Sequence, residues 1–260
     1  MKKSMIVLAA FFSAVIFQSC GNSQAGQEMQ KPTTSTAAVT AASTGSEKEG
    51  KEAEAGEMTA TSQTNSGNSA AVADSKALNL KNLQDAFKGE TTASAKYAAY
   101  SAKAEKEGYH EIALLFSAAS KSENIHANNH KSVLEELGQK VPVIKPEFTV
   151  NATKENLKDA ITGEGYEIST MYPEFLKNAN TVGDQLSLIS LNYAYKTEQK
   201  HKVFYEKALA ALEANNVKSL ALVYYVCPTC GNTYETSISK RCGISMTSSE
   251  KFIKIASLTS

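Results

Sequence analysis

Residues 112–137 read IALLFSAASKSENIHANNHKSVLEEL, and they decide the fold. Spacings of four and three residues select one stripe from this stretch: Ile112, Phe116, Ala119, Glu123, His126, His130, Val133 and Leu137. This spacing is typical of the inward face of a helix in a bundle. The stripe is apolar at both ends, and it carries a glutamate and two histidines near its middle.

Three further stretches contain a stripe of the same kind. Each has a glutamate near its middle, and the last adds a histidine one turn later: Glu90, Glu164, Glu198 and His201. Glycines and prolines separate these stretches. We therefore predict a mainly α fold, a four-helix bundle with helices over 78–107, 109–137, 152–179 and 183–214 and an extended crossover at 139–151.

An internal repeat supports this division. Residues 82–90 (NLQDAFKGE) match residues 156–164 (NLKDAITGE), an offset of 74 residues from 82 to 156. Residues 123–126 (ENIH) match residues 198–201 (EQKH), an offset of 75 residues from 123 to 198. The bundle is therefore predicted to be a duplicated helical hairpin.

Glutamates on a core stripe need compensating charge, because burying an unpaired ion costs several kcal/mol. The four stripes contain no lysine or arginine. Two divalent cations would balance four glutamates, and one Glu from each of two helices plus Glu-x-x-His from the other two is the ligand pattern of ferritin-like di-iron and di-manganese proteins. Oxygen and nitrogen donors suit iron or manganese rather than copper(I) or structural zinc. Glu167, one turn beyond Glu164, is within reach of the same site.

The N-terminus has the features of an export signal. Lys2 and Lys3 precede an apolar stretch at residues 5–17, and Ser19-Cys20 follows. This pattern resembles the lipobox of bacterial lipoproteins, which predicts a signal peptide at 1–20 and lipidation of Cys20; the alternative is a plain secretory signal with an incidental cysteine. Residues 21–77 contain no Phe, Tyr, Trp, Leu or Ile, so we predict a disordered tether there.

Three cysteines lie near the C-terminus, in residues 221–256. An apolar strand over 221–226 leads into Cys227-Pro228-Thr229-Cys230-Gly231, a turn that directs two sulfurs at one point. Cys242 opens a second turn of the same length, whose last position is Ser245 rather than cysteine. A metal site with three sulfur ligands and a doubtful oxygen ligand is therefore predicted, holding iron, zinc or nothing.

From about residue 78 to residue 255 the chain resembles rubrerythrin, a ferritin-like di-iron bundle (here 78–215) followed by a rubredoxin-like domain (221–256). The resemblance rests on Gly89-Glu90, the two Glu-x-x-His pairs, and residues 163–175 (GEGYEISTMYPEF). It implies iron ligation by the residues Glu90, Glu123, Glu164, Glu167, Glu198 and His201. It also implies that His126 and Glu167 exchange at one iron, that Tyr97 and Tyr172 hydrogen-bond the ligands, and that the chain forms a homodimer.

The activity implied by the resemblance is reduction of hydrogen peroxide to water, with electrons relayed by the rubredoxin-like site from an unknown donor. Together with the export signal, this predicts a membrane-anchored peroxidase of the bacterial cell envelope, facing the periplasm. The alternatives are a ferroxidase, an iron-binding or electron-transfer protein, and a bundle that keeps metal only for stability. Lys+Arg (27) balance Asp+Glu (27), which weighs against a nucleic-acid partner.

Overall fold

The computed structural model describes residues 66–258, with side chains described from residue 72 onward. The predicted signal peptide, Cys20 and the part of the predicted tether up to residue 65 lie outside the described residues. Within residues 66–258, no helix is both long enough and apolar enough to cross a membrane.

Five α-helices and one π-helical segment form the bundle. The helices are α1 (Ser66–Lys106), α2 (His110–Glu136), α3 (Thr153–Tyr166), α4 (Tyr172–Val182) and α5 (Gln185–Glu213). The π-helical segment, Glu167–Met171, joins α3 to α4 in one continuous helical run. The described chain therefore has four helical rods, and α1 packs along α2 while α5 packs against α2, α3 and α4. The predicted mainly α fold is confirmed.

Helix α1 begins twelve residues earlier than predicted, at Ser66 rather than at residue 78. The prediction of a tether extending to residue 77 is therefore wrong for residues 66–77. This stretch is rich in alanine and contains no proline, and extending an existing helix costs far less than starting a new one. Most of the side chains at 72–77 are exposed, so helix propensity rather than burial accounts for the extension.

The third rod also differs from the prediction, because one wide turn interrupts it. The π-helical segment ends directly before α4, whose first turn contains Pro173. Proline has no N–H to donate, so the regular hydrogen-bond ladder cannot continue through this position. A π-helical turn accommodates this defect, and such turns occur frequently at functional sites.

Two apolar clusters fill the bundle, and the buried glutamates lie between them along the helices. One cluster contains Leu83 and Phe87, which precede Glu90 on α1. The other contains Tyr97 and Tyr100, which follow Glu90. The same order holds on α5, and it is reversed on α2. The polar layer is thus closed off by apolar side chains above and below.

A small antiparallel sheet follows the bundle, as predicted for the C-terminal part. Its strands are β1 (Tyr224–Val226), β2 (Thr233–Glu235) and β3 (Ile253–Ile255), arranged in the order β2-β1-β3. Tyr225 pairs with Tyr234 on one side and with Lys254 on the other. The strands are in contact with α2 and α5, and the first cysteine turn, between β1 and β2, lies against α2.

Candidate metal centres

The helices bring four glutamates and two histidines together in two overlapping groups. One group contains Glu90, Glu123, His126 and Glu198; the other contains Glu123, Glu164, Glu198 and His201. Within each group the candidate ligand atoms lie within 4.8 Å of one another, and every residue is buried. Glu123 and Glu198 belong to both groups, so the arrangement is that of two adjacent sites with two shared carboxylates.

The shared carboxylates each present one oxygen to each histidine. Glu123 places Oε2 at 2.9 Å from His126 Nδ1 and Oε1 at 3.0 Å from His201 Nδ1. Glu198 places Oε1 at 2.9 Å from His126 Nδ1 and Oε2 at 2.8 Å from His201 Nδ1. A carboxylate whose two oxygens face two different sites is arranged to bridge two metal ions.

These close contacts are not hydrogen bonds. Both oxygens of Glu123 and of Glu198, and the Nδ1 atoms of His126 and His201, are buried and have no hydrogen-bond partner. Metal–ligand bonds of about 2.1 Å place neighbouring ligand atoms about 3 Å apart, which is the separation observed. The orphaned atoms therefore fit a pair of metal ions, and the oxygen and nitrogen donors fit iron.

The electrostatics of the cluster also call for cations. Burial, followed by repulsion from neighbouring glutamates, raises the pKa values of Glu90 and Glu164 well above the usual carboxyl range. Burial opposes ionisation of Glu123 too, but attraction to the imidazoles of His201 and His126 lowers its pKa to about 2. Without metal the cluster must hold protons to balance its charge, and divalent cations can replace them.

Two tyrosines each hold one of the unshared glutamates. The hydroxyl of Tyr97 donates to Glu164 Oε1 at 2.7 Å, and the hydroxyl of Tyr172 donates to Glu90 Oε1. The other oxygen of each glutamate, Oε2, is buried without a partner. One oxygen of each carboxylate is therefore fixed by the protein, and the other is left for a metal ion.

Glu167 lies outside both groups. It is the first residue of the π-helical segment and is only half-buried. Burial and repulsion from Glu198 and Glu123 raise its pKa, so its carboxylate lies close enough to the cluster to interact with it electrostatically. The structure thus brings His126, but not Glu167, into the Glu90 group, and ligation by Glu167 stays a prediction.

The outward-facing nitrogens of both histidines are held by the C-terminal unit, one by the first cysteine turn and one by the start of β2. His126 Nε2 lies 3.1 Å from the carbonyl oxygen of Cys230, and His201 Nε2 lies 3.0 Å from Thr233 Oγ1. Ser122 Oγ donates to the Gly231 carbonyl at 2.7 Å, which ties α2 to the same turn. Sequence reasoning missed these partners, because they join residues 32 to 109 positions apart.

Gly231 makes this close approach possible. A Cβ atom at this position would lie 2.3 Å from His126 Nε2, and the backbone φ of 75° is in the left-handed region. Glycine is the residue that tolerates both conditions. In the sequence, the glycine directly after Cys-x-x-Cys is the signal that the backbone of this turn packs closely against another part of the protein.

The C-terminal cysteines form the second candidate centre. Cys227, Cys230 and Cys242 are buried, and their sulfurs lie within 4.8 Å of one another. The 3.4 Å separation of Cys230 Sγ from Cys242 Sγ is far longer than a disulfide bond, and all three are free thiols. Ser245 Oγ lies 3.2 Å from Cys227 Sγ, so the predicted fourth position is next to the sulfurs.

His130 gives a prediction for pH dependence. It is buried, its Nδ1 lies 2.8 Å from Ser190 Oγ, and burial together with the charge of His126 lowers its pKa to about 3. Because unfolding restores a pKa of about 6.5, acid favours the unfolded state below that pH by up to about 1.4 kcal/mol per pH unit. We expect the free energy of unfolding to fall less steeply in His130→Gln than in the wild type between pH 6.5 and pH 4.

Denaturant unfolding at several pH values measures this slope. The glutamate ligands titrate in both proteins, so the difference between the two curves isolates His130. His110→Gln is the control for loss of a histidine, because the His110 side chain lies at the surface, where its pair with Glu105 contributes little to stability. Parallel curves for His130→Gln and the wild type would show that His130 does not contribute.

Comparison with known proteins agrees with this geometry. The rubrerythrin family model matches residues 81–209. Rubrerythrin-2 of Clostridium acetobutylicum is 33% identical over 171 residues, which cover 65% of this chain and 92% of that protein. Nigerythrin of Nitratidesulfovibrio vulgaris is 31% identical over 185 residues, covering 69% of this chain and 89% of that protein.

Solved structures show the same relationship. The fully reduced, all-ferrous state of nigerythrin superposes with a TM-score of 0.61 at 29% identity, over 68% of this chain and 86% of that chain. Its mixed-valent state also superposes with a TM-score of 0.61, over 76% of this chain and 91% of that chain. The two bridged groups of ligands, the cysteine turns and these similarities show that the chain belongs to the rubrerythrin family, whose members are di-iron oxidoreductases.

Proposed function

We propose that this protein is a peroxidase that reduces hydrogen peroxide to water at the Glu/His cluster, as a defence against oxidative stress at the cell envelope. The observation that carries the proposal is the pair of shared carboxylates, Glu123 and Glu198, each facing both histidines. This symmetry favours two metal ions acting together, and the reaction H2O2 + 2 H⁺ + 2 e⁻ → 2 H2O requires two electrons.

Two ferrous ions bound at the cluster would supply those electrons, one from each ion. The ligands proposed for them are the six residues of the two groups, with Glu167 as a seventh that exchanges with His126. The protein itself contributes orientation and exclusion of water. Tyr97 and Tyr172 fix the unshared carboxylates, and the apolar clusters on either side of the polar layer keep bulk water away from it.

The contact between the cysteine turn and His126 supports a role for the C-terminal unit in returning electrons. Cys230 supplies both a candidate sulfur ligand and the carbonyl oxygen that lies 3.1 Å from His126 Nε2. The two candidate centres are thus joined through one residue and one short polar contact. The external electron donor is a redox partner that this contact does not identify.

Anaerobic single-turnover measurements test the peroxidase proposal. We expect the fully reduced protein to be oxidised rapidly by one equivalent of peroxide per iron pair, and slowly by oxygen. Glu206→Gln, which changes an exposed glutamate on α5, should behave like the wild type. A ferroxidase or iron-storage protein would instead react with oxygen as fast as with peroxide and accumulate more iron than the three ions that the two centres can hold.

A second candidate function is iron handling without efficient peroxide turnover. The observation that favours it is Ser245, which stands at the position where the family's electron-transfer site has a cysteine. If the cysteine site does not return electrons, the cluster would oxidise once and then stop. Repeated additions of peroxide in the presence of excess reductant distinguish the two functions, because only the peroxidase continues to consume peroxide.

We also propose that Cys20 carries a lipid that anchors the protein to a membrane. The proposal rests on the lipobox-like sequence before Cys20. Expression of Cys20→Ala should move the protein from the membrane fraction to the soluble fraction, whereas Ser23→Ala should leave it in the membrane fraction. Unchanged fractionation of Cys20→Ala would refute lipidation at this residue.

A further inference from the structure

The two cysteine turns have the same backbone conformation. In the first, the N–H of Gly231 donates to the Cys227 carbonyl at 2.9 Å, and Gly231 has a φ of 75°. In the second, the N–H of Met246 donates to the Cys242 carbonyl at 3.1 Å, and Met246 has a φ of 60°. Ser245 therefore occupies the position in the second turn that Cys230 occupies in the first.

From this equivalence we infer that Ser245 Oγ is the fourth ligand of a metal site with three thiolates and one serine oxygen. Ser245 Oγ lies 3.2 Å from Cys227 Sγ, and Cys230 Sγ lies 3.4 Å from Cys242 Sγ. Met246, the neighbouring soft donor, is excluded because its side chain is 62% exposed and belongs to the residue after the ligand position. The second turn thus supplies oxygen where the first supplies sulfur.

A short chain of hydroxyls orients the Ser245 oxygen. Thr247 Oγ1 donates its proton to Thr229 Oγ1 at 2.8 Å, and Thr247 Oγ1 also lies 2.8 Å from Ser245 Oγ. A threonine hydroxyl has one proton, so Thr247 must accept from Ser245. The proton of Ser245 is therefore directed at Thr247, and its lone pairs are free for a cation beside the sulfurs.

This ligand set selects the type of metal and affects its redox behaviour. Three thiolates suit iron or zinc. Ferric iron would bind the Ser245 oxygen as an alkoxide, with its proton passed through Thr247 and the exposed Thr229 to water, and an alkoxide is a harder anionic donor than a thiolate and stabilises ferric iron relative to ferrous iron. We therefore expect the iron form of the site to have a lower reduction potential than a site with four thiolates would have in the same fold. The inference concerns the cysteine site alone and goes beyond the proposed peroxidase activity.

The test follows the thiolate-to-iron absorption band of the full-length protein after loading with Fe²⁺ and oxidation. The Glu/His cluster contains no sulfur, so this band reports the cysteine site alone. In Ser245→Cys we expect the band to move to longer wavelength and the reduction potential, titrated on the band, to shift to a more positive value. In Ser245→Ala we expect the band to be weakened or lost, with at least tenfold faster loss of iron to a chelator.

Ser237→Ala is the matched control, because this serine is exposed and lies outside the cysteine turns. The inference is overturned if Ser245→Ala keeps the wild-type band and potential, or if the wild type forms no thiolate-to-iron band. Should Ser245→Ala fail to fold, Ser245→Cys decides alone: an unchanged band and potential would show that residue 245 is not a ligand. Failure to turn over peroxide leaves all of these results unaffected.

Discussion

Glu198→Gln should abolish binding of both iron ions at the Glu/His cluster. Glu198 faces His126 with one oxygen and His201 with the other, so a single amide removes a charged ligand from both sites. For each of the two sites of the cluster, an iron concentration one hundred times the Kd adds about 2.7 kcal/mol to the free energy of unfolding of the wild type. We expect this increment to vanish in Glu198→Gln, and the rate of oxidation by peroxide to fall by a factor of at least about 100.

Glu164→Gln provides a graded comparison, because Glu164 belongs to only one of the two groups. It should retain more iron per chain than Glu198→Gln. Glu206→Gln, on the exposed face of the same helix α5, should bind iron like the wild type and change stability by less than about 0.5 kcal/mol. If Glu198→Gln and Glu164→Gln lose iron equally, the shared-carboxylate arrangement is wrong.

Gly231→Ala should separate the cysteine turn from the Glu/His cluster. The added Cβ would lie 2.3 Å from His126 Nε2 and 2.8 Å from Ser122 Oγ, so the turn must move away from α2. The left-handed backbone alone costs a non-glycine residue about 1–2 kcal/mol. We expect a lower unfolding temperature and at least a tenfold slower re-reduction of the oxidised cluster by an external reductant, with the peroxide reaction of the pre-reduced protein retained.

Gly243→Ala is the matched control within the same unit. Its Cβ would meet only Tyr234 Oη, at 3.8 Å, and its backbone φ is not in the left-handed region. Both steps should therefore proceed at wild-type rates in Gly243→Ala. If Gly231→Ala re-reduces as fast as Gly243→Ala, the turn does not conduct electrons to the cluster.

The regular parts of this fold follow from local patterns that are present in the sequence. The four–three stripe on α2 and its counterparts on the other rods predict which faces point inward, and Glu90, Glu123, Glu164 and Glu198 do meet in one layer. The prediction of α1 rested on its buried residues. The helix itself begins earlier, because alanine propensity suffices to extend an existing helix without burial.

The remaining features depend on contacts between distant residues. The π-helical segment places Glu167 beside the cluster but outside both ligand groups. A prediction from regular α-helical spacing does not include this change in position. The contact of His126 with Cys230 spans 104 positions, and that of His201 with Thr233 spans 32. Such contacts depend on how the sheet packs against α2 and α5, which no stripe or spacing encodes.

The anchoring of His126 by the first cysteine turn, and of His201 by Thr233 directly after that turn, links the two metal centres thermodynamically. A metal ion bound by Cys227 and Cys230 stabilises the turn that holds the imidazole of His126, and Thr233, which holds that of His201, donates to the Gly231 carbonyl of the same turn. Linkage is reciprocal. If metal binding at the cysteine site raises the iron affinity of the cluster by some factor, iron binding at the cluster raises the metal affinity of the cysteine site by the same factor. A chain that acquires its metals one at a time would therefore retain the first more tightly once the second is bound.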